Sequence, residues 1–178
     1  MTTRQGSVLL IGYGNPGRLD DGLGPAFARE LDALDLPDVT IDSDYQLTVE
    51  DAHAVATHDC VVFVDAALTG PAPFAFRVLE PIEGAAFSSH GVEPAEVLWL
   101  ARSLFNSEAD AYVLGIRGYC FNEFGELLSD SASSNLRQAL RFLERVIRED
   151  TFDREAEPAE VLQAGASTPA PAHGRHEN

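Results

Sequence analysis

Apolar residues along this chain recur with two different periods, and the changes of period mark out alternating strands and helices. Ser7 to Tyr13 is a nearly continuous apolar run around Val8-Leu9-Leu10-Ile11, as in a strand buried on both faces. Pro25 suits a first helical position, and Phe27, Leu31 and Leu34 then recur at helical spacing until Pro37 stops the pattern. Val39 to Ser43 alternates apolar and polar, as a strand near a sheet edge does. Thr48 with Asp51 resembles a capping box opening a short helix to about Ala56. Cys60 to Ala66, CVVFVDA, is the clearest central strand. Thr69-Gly-Pro-Ala-Pro reads as a turn, Phe74 to Leu79 as a strand, and Glu80 to Glu93 as a loop holding Ser88, Ser89 and His90. Pro94 opens an amphipathic helix through Val97, Leu98, Leu100, Ala101 and Leu104, and Ala111 to Gly118 is another strand. Leu136, Leu140, Leu143 and Ile147 mark one face of a helix from about Ser131 to Glu149.

Strands alternating with helices predict an α/β fold, a three-layer sandwich whose mainly parallel, twisted sheet is flanked by helices. One domain is expected over residues 1–150. Beyond Asp150 the composition shifts to Ala, Pro, Glu, Gly and Ser without apolar period, and residues 151–178 are expected to be a disordered tail.

The stretch from Gly12 to Gly24, GYGNPGRLDDGLG, joins the first strand to the first helix and has two readings. Gly12, Gly14 and Gly17 match G-x-G-x-x-G after a strand, with Asp42 and Asp44 downstream, which suggests a nucleotide-binding or sensor module. Against it, Asp20 and Asp21 stand where a pyrophosphate would meet the helix N-terminus, and like charges repel in a poorly solvated pocket. The other reading makes the glycines a means of presenting a carboxylate at the carboxyl edge of the sheet.

Composition narrows the field. The chain has 178 residues, enough for one well-cored domain. A net charge of −17 argues against nucleic-acid and anionic-membrane partners, which need basic surface. No apolar run approaches a transmembrane length, and Met1 to Gly6 lacks the basic and apolar regions of a signal peptide. Cys60 and Cys120, each in an apolar run, read as buried free thiols of a cytoplasmic protein. All 12 basic residues are arginine. The absence of lysine removes Schiff-base chemistry, a P-loop and a phosphoacceptor receiver domain.

An aspartate at the carboxyl end of a buried strand needs a partner, a metal or hydrogen bonds, so Asp65 either caps the following turn or serves chemistry. In α/β sheets, sites form outside the carboxyl ends of strands. If the sheet gathers those ends, Asp21, Asp65 and His90 converge as an oxygen/nitrogen set suited to nickel, zinc or iron. His53 and His58 read as surface histidines, His173 and His176 as accidents of composition, and Arg117 as a solvated edge residue before a substrate contact. No G-x-S-x-G elbow or cysteine–histidine signature supplies a nucleophile, and metal-assisted attack by water is one alternative.

GNPGRLDDGLG, then VVFVDA, then SSH followed by a helix resembles the maturation endopeptidases of nickel–iron hydrogenases, over about Val8 to Glu149. The resemblance implies an α/β sandwich that removes a C-terminal extension from the hydrogenase large-subunit precursor once nickel is inserted. It implies that the precursor's nickel docks on Asp21, Asp65 and His90, with Asp20 a possible substitute for its neighbour; Asp44, just after the second strand, reads as a nearby carboxylate or as a turn-forming aspartate. The enzyme so implied is a cytoplasmic monomer whose partner is the precursor, with no nucleic acid and no membrane. Many members carry glutamate at the position of Asp21. The segment SSHGVEPAEVL is more like branches serving cytosolic hydrogenases.

Overall fold

The computed structural model describes residues 6–83 and 91–159. The elements run in the order β1 (Val8–Tyr13), α1 (Leu23–Asp32), β2 (Val39–Asp44), α2 (Asp51–Ala56), β3 (Cys60–Ala67), β4 (Phe74–Val78), α3 (Pro94–Phe105), β5 (Asp110–Arg117), α4 (Asp130–Glu149) and α5 (Phe152–Glu155). The five strands order as β2-β1-β3-β5-β4, all parallel except β4, which runs antiparallel to β5 at the edge.

Strand periodicity splits the core into two layers. Val8 and Leu10 of β1, with Val62 and Val64 of β3, pack with Phe27 and Leu31 of α1 and Leu136, Ala139, Leu143 and Val146 of α4. Leu9, Ile11, Val61 and Phe63 point the other way, onto Ala52 and Val55 of α2 and Val97, Leu98 and Ala101 of α3. A sheet covered on both faces is the expected three-layer sandwich. Among the described residues no helix is long and apolar enough to cross a membrane.

The order of the chain reverses between β1 and β3. From β1 the chain goes through α1 to β2 on one side, while β3 and β5 build outward on the other. That reversal leaves a crevice at the carboxyl ends of β1 and β3. Tyr13, at the end of β1, comes one residue after the Gly12↔Val64 pair, and Asp65 one residue after it on β3.

Three expectations need correction. α1 begins at Leu23 and not at Pro25, after a 3₁₀ turn over Leu19–Gly22. Pro25 still falls in the first turn, where no intrahelical N–H bond is lost. Cys120 is exposed, in the loop after β5, and only Cys60 is buried. The disordered tail does not begin at residue 151. Phe152 is buried, the Tyr112 hydroxyl donates to Asp153 at 2.5 Å, and Glu157 pairs through its backbone with Phe76 and Val78 on the edge of β4. One aromatic side chain and an open strand edge anchor this segment where composition alone suggested none. Residues 160–178 lie outside the described residues.

Candidate functional site

The glycines of the loop after β1 serve close packing. A Cβ on Gly12 would stand 2.3 Å from the Gly24 carbonyl oxygen, and one on Gly24 2.2 Å from that of Tyr13 and 2.6 Å from that of Val64. The first turn of α1 is therefore pressed directly on the backbones of β1 and β3. Gly14 has φ +136°, and its Cβ would lie 2.1 Å from the Asp21 carbonyl oxygen. The space over Gly14 that a diphosphate would need is occupied by the loop's own 3₁₀ turn. Packing thus accounts for Gly12 and Gly14 of the triple-glycine match, while Gly17 meets only the Asn15 side chain.

Packing also separates the two adjacent carboxylates. Asp20 is wholly buried. Its Oδ2 accepts from the Tyr119 N–H (2.8 Å), the Cys120 N–H (2.9 Å) and the Ser129 hydroxyl (2.8 Å), and its Oδ1 from the Ser129 N–H (2.7 Å). Burial pushes its carboxyl pKa up, but the hydrogen bonds from Ser129, Tyr119 and Cys120 outweigh it and hold the value below the ordinary range. Ser129 also caps α4, its hydroxyl accepting from the Ala132 N–H at 3.2 Å. Asp20 therefore fastens the loop of residues 118–129 to the glycine loop. Asp21 is half-buried and accepts one bond, from the Asn15 N–H to Oδ2 at 3.0 Å. Asn15 in turn closes the loop through its own Oδ1, which accepts from Gly17 at 2.9 Å.

Asp65 lies across the crevice from Asp21. Its pKa is raised to about 6, first by desolvation and then by the negative charges of Asp21 and Glu93, against the opposing bonds from the Ala66 N–H and the Tyr13 hydroxyl. The Ala66 bond is 2.7 Å long. Tyr13 is driven far above its ordinary value by burial and by Asp65 and Glu93, so its hydroxyl stays protonated and donates to Asp65. Asp65, near the carboxyl end of β3, thus has around it the carboxylate of Asp21 from the turn before α1, that of Glu93, and the phenol of Tyr13. Negative potential in a poorly solvated cleft attracts a cation.

Tyr13 and Glu93 were missed in the sequence. Glu93 could have been found, since Glu93 and Glu96 flank Pro94 at capping-box spacing, and the structure forms that box, with the Glu93 N–H 2.7 Å from Glu96 Oε2. Tyr13 ends an apolar strand, and only the parallel pairing of β1 with β3 sets it beside Asp65.

His90 lies outside the described residues. Its neighbour Gly91 stands beside Gln46, which follows β2 at the carboxyl edge; a Cβ there would be 3.6 Å from Gln46 Oε1. Among the described residues no three His, Cys, Asp or Glu side chains gather as a metal site. The remaining candidates take other roles. His58 is tied to the Ala54 carbonyl (2.8 Å) and the Thr40 hydroxyl (2.9 Å), and His53 packs edge-on against Phe105. Asp44 turns back on the Tyr45 N–H at 2.6 Å. Arg117 donates to the Leu68 carbonyl and lies over the Tyr119 ring.

No protein-family model matches the chain, and no curated protein matches its sequence. Solved structures do match. The NiFe hydrogenase maturation protease HycI from Thermococcus kodakarensis KOD1 superposes with TM-score 0.64 at 22% identity, over 82% of this chain and 95% of that one. The hydrogenase 2 maturation peptidase from Thaumarchaeota archaeon SCGC_AB-539-E09 gives 0.60 at 21% identity, over 80% and 98%. The hydrogenase maturating endopeptidase HybD from E. coli gives 0.60 at 20%, over 81% and 93%. The chain has the fold of these hydrogenase maturation proteases across nearly their whole length.

Proposed function

We propose that this chain is a cytoplasmic endopeptidase that removes the C-terminal extension of a nickel-loaded hydrogenase large-subunit precursor, the precursor's nickel docking on Asp21, Asp65 and His90. What supports the reading is that Asp21 stands close enough to Asp65, on β3 beside the β1–β3 switch point, for its charge to act on that carboxyl. A shared fold supports it, and so does the chemistry of the cleft. Two carboxylates and an imidazole would leave coordination positions for ligands that stay with the precursor, as a borderline divalent ion accepts. Asp65 is held by Tyr13 and Ala66, and Asp21 by Asn15, so the oxygens are oriented before the substrate arrives.

The scissile peptide is then cleaved by water, which adds to the carbonyl carbon. The C–N bond breaks and the leaving amine takes a proton. Cys60, buried in the core, is no nucleophile.

The test incubates the purified chain with nickel-loaded and nickel-free precursor and follows the precursor's intact mass. A loss at the C-terminus of the loaded form alone is expected, and Asp21→Asn, Asp65→Asn and His90→Ala should each abolish it. Undiminished processing by all three variants would overturn the site. Equal processing of the nickel-free form would overturn the role of the ion.

A further inference from the structure

Ten large apolar side chains are exposed among the described residues, and four of them lie on the segments that follow β3 and β5. Phe124 is 87% exposed, Leu127 82%, Leu68 63% and Tyr119 47%. Scattered exposed apolar residues are ordinary; these four share one rim. Leu68 follows β3, and the other three lie on the loop after β5, whose Gly118 N–H bonds the Ala67 carbonyl at 3.0 Å. Arg117 joins the two segments by donating to the Leu68 carbonyl beneath the Tyr119 ring. The rim lies at the carboxyl edge of the sheet, on the loop that Asp20, the neighbour of Asp21, fastens to the glycine loop.

This loop is held firmly. Besides the four bonds to Asp20, the Leu19 N–H donates to the Gly125 carbonyl at 2.8 Å and the Gly125 N–H to the Gly17 carbonyl at 3.0 Å. Arg18 lies over the Phe124 ring. An apolar tip fixed by that many bonds loses little conformational entropy when a partner covers it. Exposed Glu123, Glu126 and Asp130 flank it, against Arg18 and Arg117, in a chain of net charge −17.

We propose that Leu68 and the loop of residues 118–129 form the docking surface for the substrate protein, which meets it with an apolar patch flanked by basic side chains. The proposal rests on the peptidase reading and adds where the body of the substrate, as distinct from its metal and scissile bond, is gripped. Apolar contact at the centre supplies affinity, and the acidic flank steers the encounter.

The test measures steady-state processing of the full-length nickel-loaded precursor by wild type and by the double variant Phe124→Ser/Leu127→Ser, with a melting curve for each. The expected result is a KM raised about tenfold or more, with the loss falling on KM and not on kcat. Glu123→Arg/Glu126→Arg should raise KM at low salt, with the difference from wild type shrinking as salt rises. An unchanged KM in both variants, with wild type active, overturns the docking surface and leaves the peptidase reading standing. No processing by wild type overturns both. A wild-type dimer on gel filtration that the double serine variant converts to monomer would assign the rim to self-association and overturn the proposal.

Discussion

Two carboxylates a short distance apart show how differently one fold can treat the same side chain. Asp20 is sealed in protein and receives four hydrogen bonds, so burial leaves it ionised and its pKa is lowered. Asp65 has fewer donors, and desolvation first, then the negative charges of Asp21 and Glu93, raise its pKa to about 6. Burial pushes both carboxylates up, and the number of hydrogen-bond donors decides whether that push is outweighed. A carboxylate sealed in protein and satisfied by fixed N–H and O–H groups is not open to a cation. One raised by its neighbours gains free energy when a cation arrives. The first is a fastening, and the second is the carboxylate proposed to meet the ion.

The largest effect expected from breaking this contrast comes from Asp20→Ala. Four donors lose their acceptor at once, and stability should fall by about 3–5 kcal/mol, with a melting temperature lower by about 10 °C. Because its folded pKa lies below 3.8, the stabilisation from Asp20 is present above that pH and is lost as pH falls through the folded value. Thermal melts of wild type and variant should therefore converge in strong acid. A variant that melts like wild type at neutral pH would refute the fastening role.

Asp65→Asn should act in the opposite direction. The folded pKa is raised from 3.8 to about 6, so the folded state holds the proton more tightly than the unfolded chain. The stability contributed by that proton is full below 3.8 and is lost as pH rises through about 6. The neutral asparagine avoids that loss. It should make the protein more stable at pH 8 by about 2–3 kcal/mol, with no difference near pH 4, while abolishing processing. Melting curves at the two pH values check the sign; a destabilised variant at pH 8 would show that the cleft does not strain its carboxylate.

Tyr13→Phe is the smallest and finest probe. Removing the hydroxyl should cost about 1 kcal/mol and raise the Asp65 pKa further, because the lost bond favoured the ionised form. A carboxyl-carbon NMR titration of Asp65 reads this directly. An unmoved midpoint would mean that Tyr13 does not hold Asp65.

Much of this contrast could not be read from residue order. Asp20 and Asp21 are neighbours of the same type, and nothing in LDDG distinguishes them. The difference arises because the 3₁₀ turn over Leu19–Gly22 directs one inward to Ser129, 109 positions away, and leaves the other at the cleft. The glycines misled for a related reason. G-x-G-x-x-G spacing marks a backbone that comes close to something, and here that is α1 against β1 and β3. Residues 151–159 read as tail because one buried phenylalanine and a strand edge leave no period to detect.

The sequence by itself determined the alternation of strands and helices, the burial of the sheet on both faces, and the candidacy of Asp21 and Asp65, because these depend on local periodicity and on the cost of a carboxylate at the end of an apolar strand. Tertiary structure alone decided which carboxylate is fastened and which is free, and that Tyr13 and Glu93 join the cleft. Ionisation and hydrogen bonding depend on atoms brought together across the sheet, and no local pattern records that distance.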